Sequence, residues 1–218
     1  GKSAALGSAV HESIRVLMDS YNQNGLLPQL ELLLSQFIKS LKAQKLDEKD
    51  FLESMQQGEM LLTDFYNAKI NLETLPKGSL NELNFKHTDV TVNGVPITGK
   101  IDRVDFLDTT TGALMVVDYK TGNPDNASAK LSINNLGDYY LQLVYYKLLI
   151  ENSHLVKGFA NTGRIEFLIK SRTTGGYIDK DFPLDSLSTE PVLALIKSTY
   201  DSIMALDFAR INTDSYNA

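Results

Sequence analysis

The stretch "VVDYKTG", Val116 to Gly122, decides how this chain is read, because a run of β-formers ends there on an aspartate and a lysine two residues apart. In a strand, side chains alternate between faces, so Asp118 and Lys120 share one side and Tyr119 takes the other. Alone, such a pair is a common solvated strand end or surface ion pair. Just upstream, "GKIDRVDF" (Gly99–Phe106) forms a second strand, and the turn at Thr109–Gly112 predicts a hairpin that brings Asp102 within reach of Asp118. "DRVD" on its own also fits the exposed face of a two-sided strand. With the hairpin, two carboxylates and a lysine form a metal site with a catalytic partner. Mg²⁺ takes oxygen ligands at roughly 2.0–2.1 Å, accepts one or two protein carboxylates and leaves positions for phosphate oxygens. Such an ion acidifies a bound water and neutralises phosphodiester charge, while Lys120 positions the water or stabilises developing charge.

Around this hairpin the periodicity changes twice. Val10, Ile14, Leu17 and Tyr21 recur at helical spacing, "NQNGLLPQ" is a turn, and a second helix runs from about Pro28 into the lysine-rich "KSLKAQK". A third helix opens at Asp47 with acidic residues in its first turn. After "LPKGS" the pattern becomes a meander of three or four strands, with Asn93-Gly94 as a hairpin turn. A Gly/Asn/Asp-rich loop follows, then a helix from about Leu136 to Asn152, a strand pair around "GRIEFLIKS" and "GGYIDKDFPL", and a final helix from about Thr189 to Phe208.

At 218 residues and 43% hydrophobic content the chain can bury a sizeable core. It has no stretch of membrane-spanning length and no signal-peptide pattern, which predicts a cytoplasmic protein without a membrane partner. The absence of cysteine excludes thiolate zinc sites, iron-sulfur clusters and cysteine nucleophiles, so any metal is held by oxygen and imidazole. A net charge of −6 argues against a broad electrostatic grip on nucleic acid and leaves room for a local basic groove. The glycine start suggests a fragment of a larger parent protein.

Four segments, in order, resemble the PD-(D/E)xK nuclease superfamily and within it the RecB-like branch of AddAB- and RecBCD-type helicase-nucleases. "GSAVHE" matches the branch's helical histidine at His11, "GKIDRVDF" its first acidic motif at Asp102, "VVDYKTG" its acid-x-lysine core at Asp118 and Lys120, and "QLVYY" its Q-x-x-x-Y helix at Gln142 and Tyr146. The resemblance implies an α/β fold: a restriction-endonuclease-like core with a mixed central β-sheet flanked by helices and a helical N-terminal segment. It implies one nuclease domain over 1–218, with 1–22 as the helix carrying His11, 23–75 as a helical insertion and 76–218 as the catalytic core, forming the C-terminal part of its parent. Metal ligands are expected at His11, Asp102, Asp118 and the Tyr119 carbonyl, with Mg²⁺ or Mn²⁺ as the ion. Glu82 stands where many relatives carry a further acid. Some relatives hold an iron-sulfur cluster through four cysteines, which this sequence lacks.

The implied activity is metal-dependent hydrolysis of DNA, as an exonuclease in repair and recombination, with DNA ends or single strands as partners. A helicase module is expected in the same parent chain or a partner subunit, since no GxxxxGK[ST] phosphate loop is present. Gly7, one turn before His11, is expected to admit a close neighbour. Tyr139, Gln142 and Tyr146 share one helical face, open to either partial burial or DNA contact, and Leu141, Val144, Tyr145 and Leu148 form the core stripe. Lys170 and Arg172, placed on a strand, are expected at phosphates. Lys39, Lys42, Lys45 and Lys49 read as a solvated helix end. Arg103 and Asp105, on the face opposite Asp102, read as a structural ion pair. The alternatives are a non-catalytic nuclease-like module that binds DNA ends or docks a helicase, and a plain α/β interaction domain.

Overall fold

Helical periodicity, capping and turn residues account for the first third of the chain. Helix α1 (Lys2–Asn24) buries Val10, Ile14, Leu17 and Tyr21, and ends on Gly25 in the left-handed conformation with its N–H on the Tyr21 carbonyl. Helix α2 (Leu30–Lys42) buries Leu33, Phe37 and Leu41. Helix α3 (Glu48–Lys69) starts at Asp47, whose side chain accepts the Asp50 N–H at 2.8 Å, satisfying one of the four donors a helix start leaves free. The structure, a computed structural model, describes residues 1–185, 189–198, 200, 201 and 204. No helix among them is long and apolar enough to cross a membrane.

The strands are β1 (Leu80–Asn84), β2 (Thr91–Val92), β3 (Val95–Pro96), β4 (Lys100–Asp108), β5 (Ala113–Lys120), β6 (Phe159–Phe167) and β7 (Asp179–Pro183), with α4 (Asp138–Glu151) between β5 and β6. Five of them form one mixed sheet in the order β1-β4-β5-β6-β7. Only β5 and β6 are parallel, since a parallel pair needs a crossover and α4 supplies it. Strands β2 and β3 make a separate hairpin whose turn, Asn93-Gly94, has positive φ at both residues, as its residue types require.

Strand β5 is buried along nearly its whole length because both faces of the sheet are covered. Leu114 and Val116 join the core beneath α4, whereas Met115, Val117 and Tyr119 join the core beneath α1, α2 and α3. Asp118 and Lys120 therefore leave the sheet on the α4 side, at the end where β5 and β6 both terminate.

One local expectation differs from the observed structure. Strand β6 ends at Phe167, so Lys170 and Arg172 lie beyond it in a connection rather than on a strand. That connection closes on itself through Ser171 N–H to Gly176 O (2.8 Å) and Gly175 N–H to Ser171 O (2.9 Å), which ends the ladder. On α4 the expected stripe packs on the core, with Val144 and Leu148 buried and Leu141 and Tyr145 half-buried against it; Tyr140, Leu143 and Tyr146 are buried as well, because the helix is covered on more than one side. Helical residues occur at 190–198, 200, 201 and 204, and the remainder of the expected last helix lies outside the described residues.

Candidate active site

Strand register assembles the acids. The β4–β5 ladder pairs Arg103 with Val117 and Val104 with Val116, and one further step sets Asp102 opposite Asp118. The β1–β4 ladder pairs Asn81 with Arg103 and Leu83 with Ile101, which sets Glu82 opposite Asp102. Three carboxylates from three adjacent strands thus lie side by side. Glu82 has a φ of 51°, a left-handed conformation that costs on the order of 1–2 kcal/mol for a residue with a Cβ. Strained positions of this kind gather at functional sites. His11, brought in by α1, places Nδ1 3.3 Å from Asp102 Oδ1 and 3.7 Å from Glu82 Oε1. Gly7 is not needed for that approach, because a Cβ added there would meet only Thr121 Oγ1, at 3.9 Å.

Asp118, Lys120, Gln142 and Tyr146 close a ring of polar contacts. Lys120 Nζ lies 2.6 Å from Asp118 Oδ2 and donates to Gln142 Oε1 at 2.6 Å. Gln142 Nε2 donates to the Tyr146 hydroxyl at 3.2 Å, and that hydroxyl donates to Asp118 Oδ1 at 2.7 Å. The i, i+4 spacing of Gln142 and Tyr146 on α4 is what lets one helix face reach both members of the acid–lysine pair. Asp102 Oδ2 accepts the Tyr119 backbone N–H at 2.8 Å, which fixes that carboxylate against the residue between Asp118 and Lys120.

Burial dominates the electrostatics. Asp118 is 2% exposed, and burial, reinforced by the Asp102 charge, pushes its carboxyl up to about 6 against the pull of Lys120 and Tyr146. Burial and Asp102 likewise raise Glu82, although Lys100 pairs with its Oε2. Burial pulls the His11 imidazole down, but Asp102, Glu82 and Asp118 outweigh it and leave it above its ordinary value. Glu82 Oε1 is buried and accepts no hydrogen bond, and Asp118 Oδ2, equally buried, has only the Lys120 ammonium beside it. A buried carboxylate oxygen without a donor, as at Glu82, is costly unless a cation supplies the missing partner. His11, Glu82 and Asp102 each offer a ligand atom, all within 4.8 Å of one another. Glu82 takes the third place in this compact group, and Asp118 stands outside it, turned to Lys120. Carboxylate oxygens with one imidazole suit a hard divalent cation.

A family model of the PD-(D/E)XK nuclease superfamily matches residues 1–213. The chain belongs to the PD-(D/E)XK nuclease superfamily. Its five-stranded mixed sheet flanked by helices is consistent with the restriction-endonuclease-like fold of that superfamily, and membership points to a metal-dependent nuclease. The crystal structure of SSO0001 aligns with 92% of this chain and 74% of its own at 16% sequence identity and a TM-score of 0.37. No curated protein matches the sequence.

In this PD-(D/E)XK chain the face behind the acids holds a second buried network. Arg103 pairs with Asp105 at 2.9 Å, as its place on β4 suggests, and also reaches Glu166 at 3.2 Å and the Tyr119 hydroxyl at 2.7 Å. Tyr119 thus bridges the faces: its backbone holds Asp102 and its ring is held by Arg103. Lys170 lies with its Nζ 5.6 Å from the Tyr177 ring, on the α3 side. Arg172 is exposed, in a turn fixed by Asp125, which accepts from Ser171 Oγ (2.5 Å) and from Arg172 N–H (2.8 Å). Neither touches the acids. Sequence reading passed over Lys100, although it shares a β4 face with Asp102 by simple alternation.

Proposed function

We propose that this chain is a Mg²⁺- or Mn²⁺-dependent deoxyribonuclease of the RecB-like branch, an exonuclease hydrolysing phosphodiester bonds in DNA repair and recombination. One observation supports the reading above the others: Asp118 is buried with one oxygen held by Tyr146 and the other paired with Lys120, next to the group of His11, Glu82 and Asp102. Its neighbours His11, Gln142 and Tyr146 are the residues that distinguish the branch by resemblance, and all three contact the acids or Lys120.

On this reading His11, Asp102, Asp118 and the Tyr119 carbonyl hold the ion, with Glu82 as a further acid. A divalent cation bound there would supply Lewis acidity towards the scissile phosphate and lower the pKa of water. The protein's own part is orientation. The Tyr119 N–H fixes Asp102, and the Tyr146 hydroxyl fixes Asp118 with its other oxygen beside Lys120. Gln142 holds the Lys120 ammonium, which positions the attacking water or stabilises charge developing on the phosphate. Gln142 and Tyr146 act beside DNA through these two residues, Tyr146 being 4% exposed. Lys170 and Arg172 contact phosphates further along the backbone. The whole chain is then one nuclease domain, with 23–75 a helical insertion, working in the cytoplasm beside a helicase module.

The direct test is degradation of labelled linear DNA. Activity should require Mg²⁺ or Mn²⁺, vanish with EDTA and vanish in Lys120→Ala. A folded wild type inert on single- and double-stranded DNA with either metal would overturn the proposal.

A further inference from the structure

We infer that Lys130 binds a backbone phosphate of the DNA strand next to the one that faces Lys120, with Tyr139 as their common support; this rests on the nuclease reading above. Lys120 Nζ lies 4.3 Å from the Tyr139 ring centroid and Lys130 Nζ lies 5.1 Å from the same centroid. A cation over an aromatic ring is attracted by the ring's quadrupole, so Tyr139 holds both ammonium groups within reach of the same ring. Lys120 has Asp118 as its counter-ion. Lys130 is exposed and, among the described residues, has no carboxylate at ion-pair distance. Lys130 therefore brings a positive charge without a paired acid to the edge of an acidic site, in a chain of net charge −6. A phosphate answers that charge.

The backbone holds Lys130 there. Its carbonyl accepts the N–H of Tyr139 at 3.0 Å and of Tyr140 at 3.4 Å, so the segment before α4 satisfies donors that the helix start leaves open. Gly137 makes the approach feasible, because a Cβ at that position would collide with the carbonyl oxygens of Ala129 and Lys130. Lys130 and Tyr139 are thereby placed at the same end of α4, one turn from Gln142.

The test is binding of a labelled single-stranded oligonucleotide to the full chain by fluorescence anisotropy, with Ca²⁺ supplied in place of Mg²⁺ and the strand checked for integrity. The affinity is measured against salt concentration. Lys130→Ala should make the slope of log K against log salt shallower by about 0.7, the counter-ion release of one single-strand phosphate contact. Lys130→Arg should keep the wild-type slope. Lys157→Ala, which removes the same charge just before β6 at the opposite end of the sheet, should also keep it. In steady-state cleavage Lys130→Ala should raise KM more than it lowers kcat. An unchanged slope in Lys130→Ala, with wild-type cleavage intact, overturns this inference alone. A wild type that neither binds nor cleaves DNA overturns the nuclease reading and the inference with it.

Discussion

Replacing Asp118 by asparagine should change how the metal-free protein responds to pH, and the size of the effect follows from burial. The Asp118 carboxyl is raised from an ordinary 3.8 to about 6, chiefly because burial penalises the charged form. A raised folded pKa means that the folded state binds the proton more tightly than the unfolded chain does. The resulting stability is fully present below the unfolded pKa and is lost as pH rises through the folded one. At about 1.4 kcal/mol per pKa unit the full loss is about 3 kcal/mol, of which roughly 2 kcal/mol falls between pH 4 and neutrality because the unfolded carboxyl is already partly ionised at pH 4. Asp118→Asn removes the titrating group, so wild-type stability minus variant stability should fall by about that amount across this window. Urea unfolding in EDTA at a series of pH values measures the difference directly. Adding Mg²⁺ at pH 7 should then stabilise the wild type and leave the variant little changed. A difference curve flat from pH 4 to pH 7 would refute the argument, since it would mean that Asp118 is not desolvated.

Tyr146→Phe deletes a hydrogen bond that lowers the Asp118 pKa, so the acid limb of Mn²⁺ binding should move to higher pH; calorimetry at two or three pH values that finds the limb unmoved would remove Tyr146 from its orienting role. Arg103→Ala leaves Asp105 and Glu166 buried without their partner and should cost roughly 3–5 kcal/mol in urea unfolding. A loss below about 1 kcal/mol would mean that the network is solvated. Two glycines should respond to alanine with opposite signs. Gly7→Ala has room beside Thr121 and should stabilise α1 by about 0.5–1 kcal/mol. Gly58→Ala would press into the buried Phe37 ring between α2 and α3 and should lower stability by about 1–3 kcal/mol. Thermal melts of both variants decide this, and a shared sign would contradict the packing.

Local chemistry made much of the fold legible. Asp47 announces the start of α3, Asn93-Gly94 a hairpin turn, and the short turn after Asp108 sets the β4–β5 register on which the placing of Asp102 against Asp118 depends. What stayed hidden depends on elements distant in sequence. The Arg103–Asp105 pair could be read from one strand, but Glu166 joins it only because α4 carries the chain over to a parallel neighbour. The stripe of Leu141, Val144, Tyr145 and Leu148 does face the core, but Tyr140, Leu143 and Tyr146 are buried too, because a helix covered on more than one side has no single apolar stripe. Lys170 and Arg172 sit in an apparently strand-like run, and the turn that excludes them is tied by Asp125, more than forty positions upstream. Lys130 carries no local signal at all; its place follows from two hydrogen bonds to its carbonyl.

The alternation of β5 between two cores has a consequence for safety in the cell. Asp118 and Lys120 ride on the α4 side, while Tyr119, which tethers Asp102, is clamped from the side that the first three helices cover. His11 belongs to the first of those helices, some ninety residues before Asp102. The candidate site therefore exists only when both halves of the molecule have closed on the same strand. On the proposed nuclease reading, a chain caught half-made or half-unfolded would carry every side chain of the site and still be unable to cut.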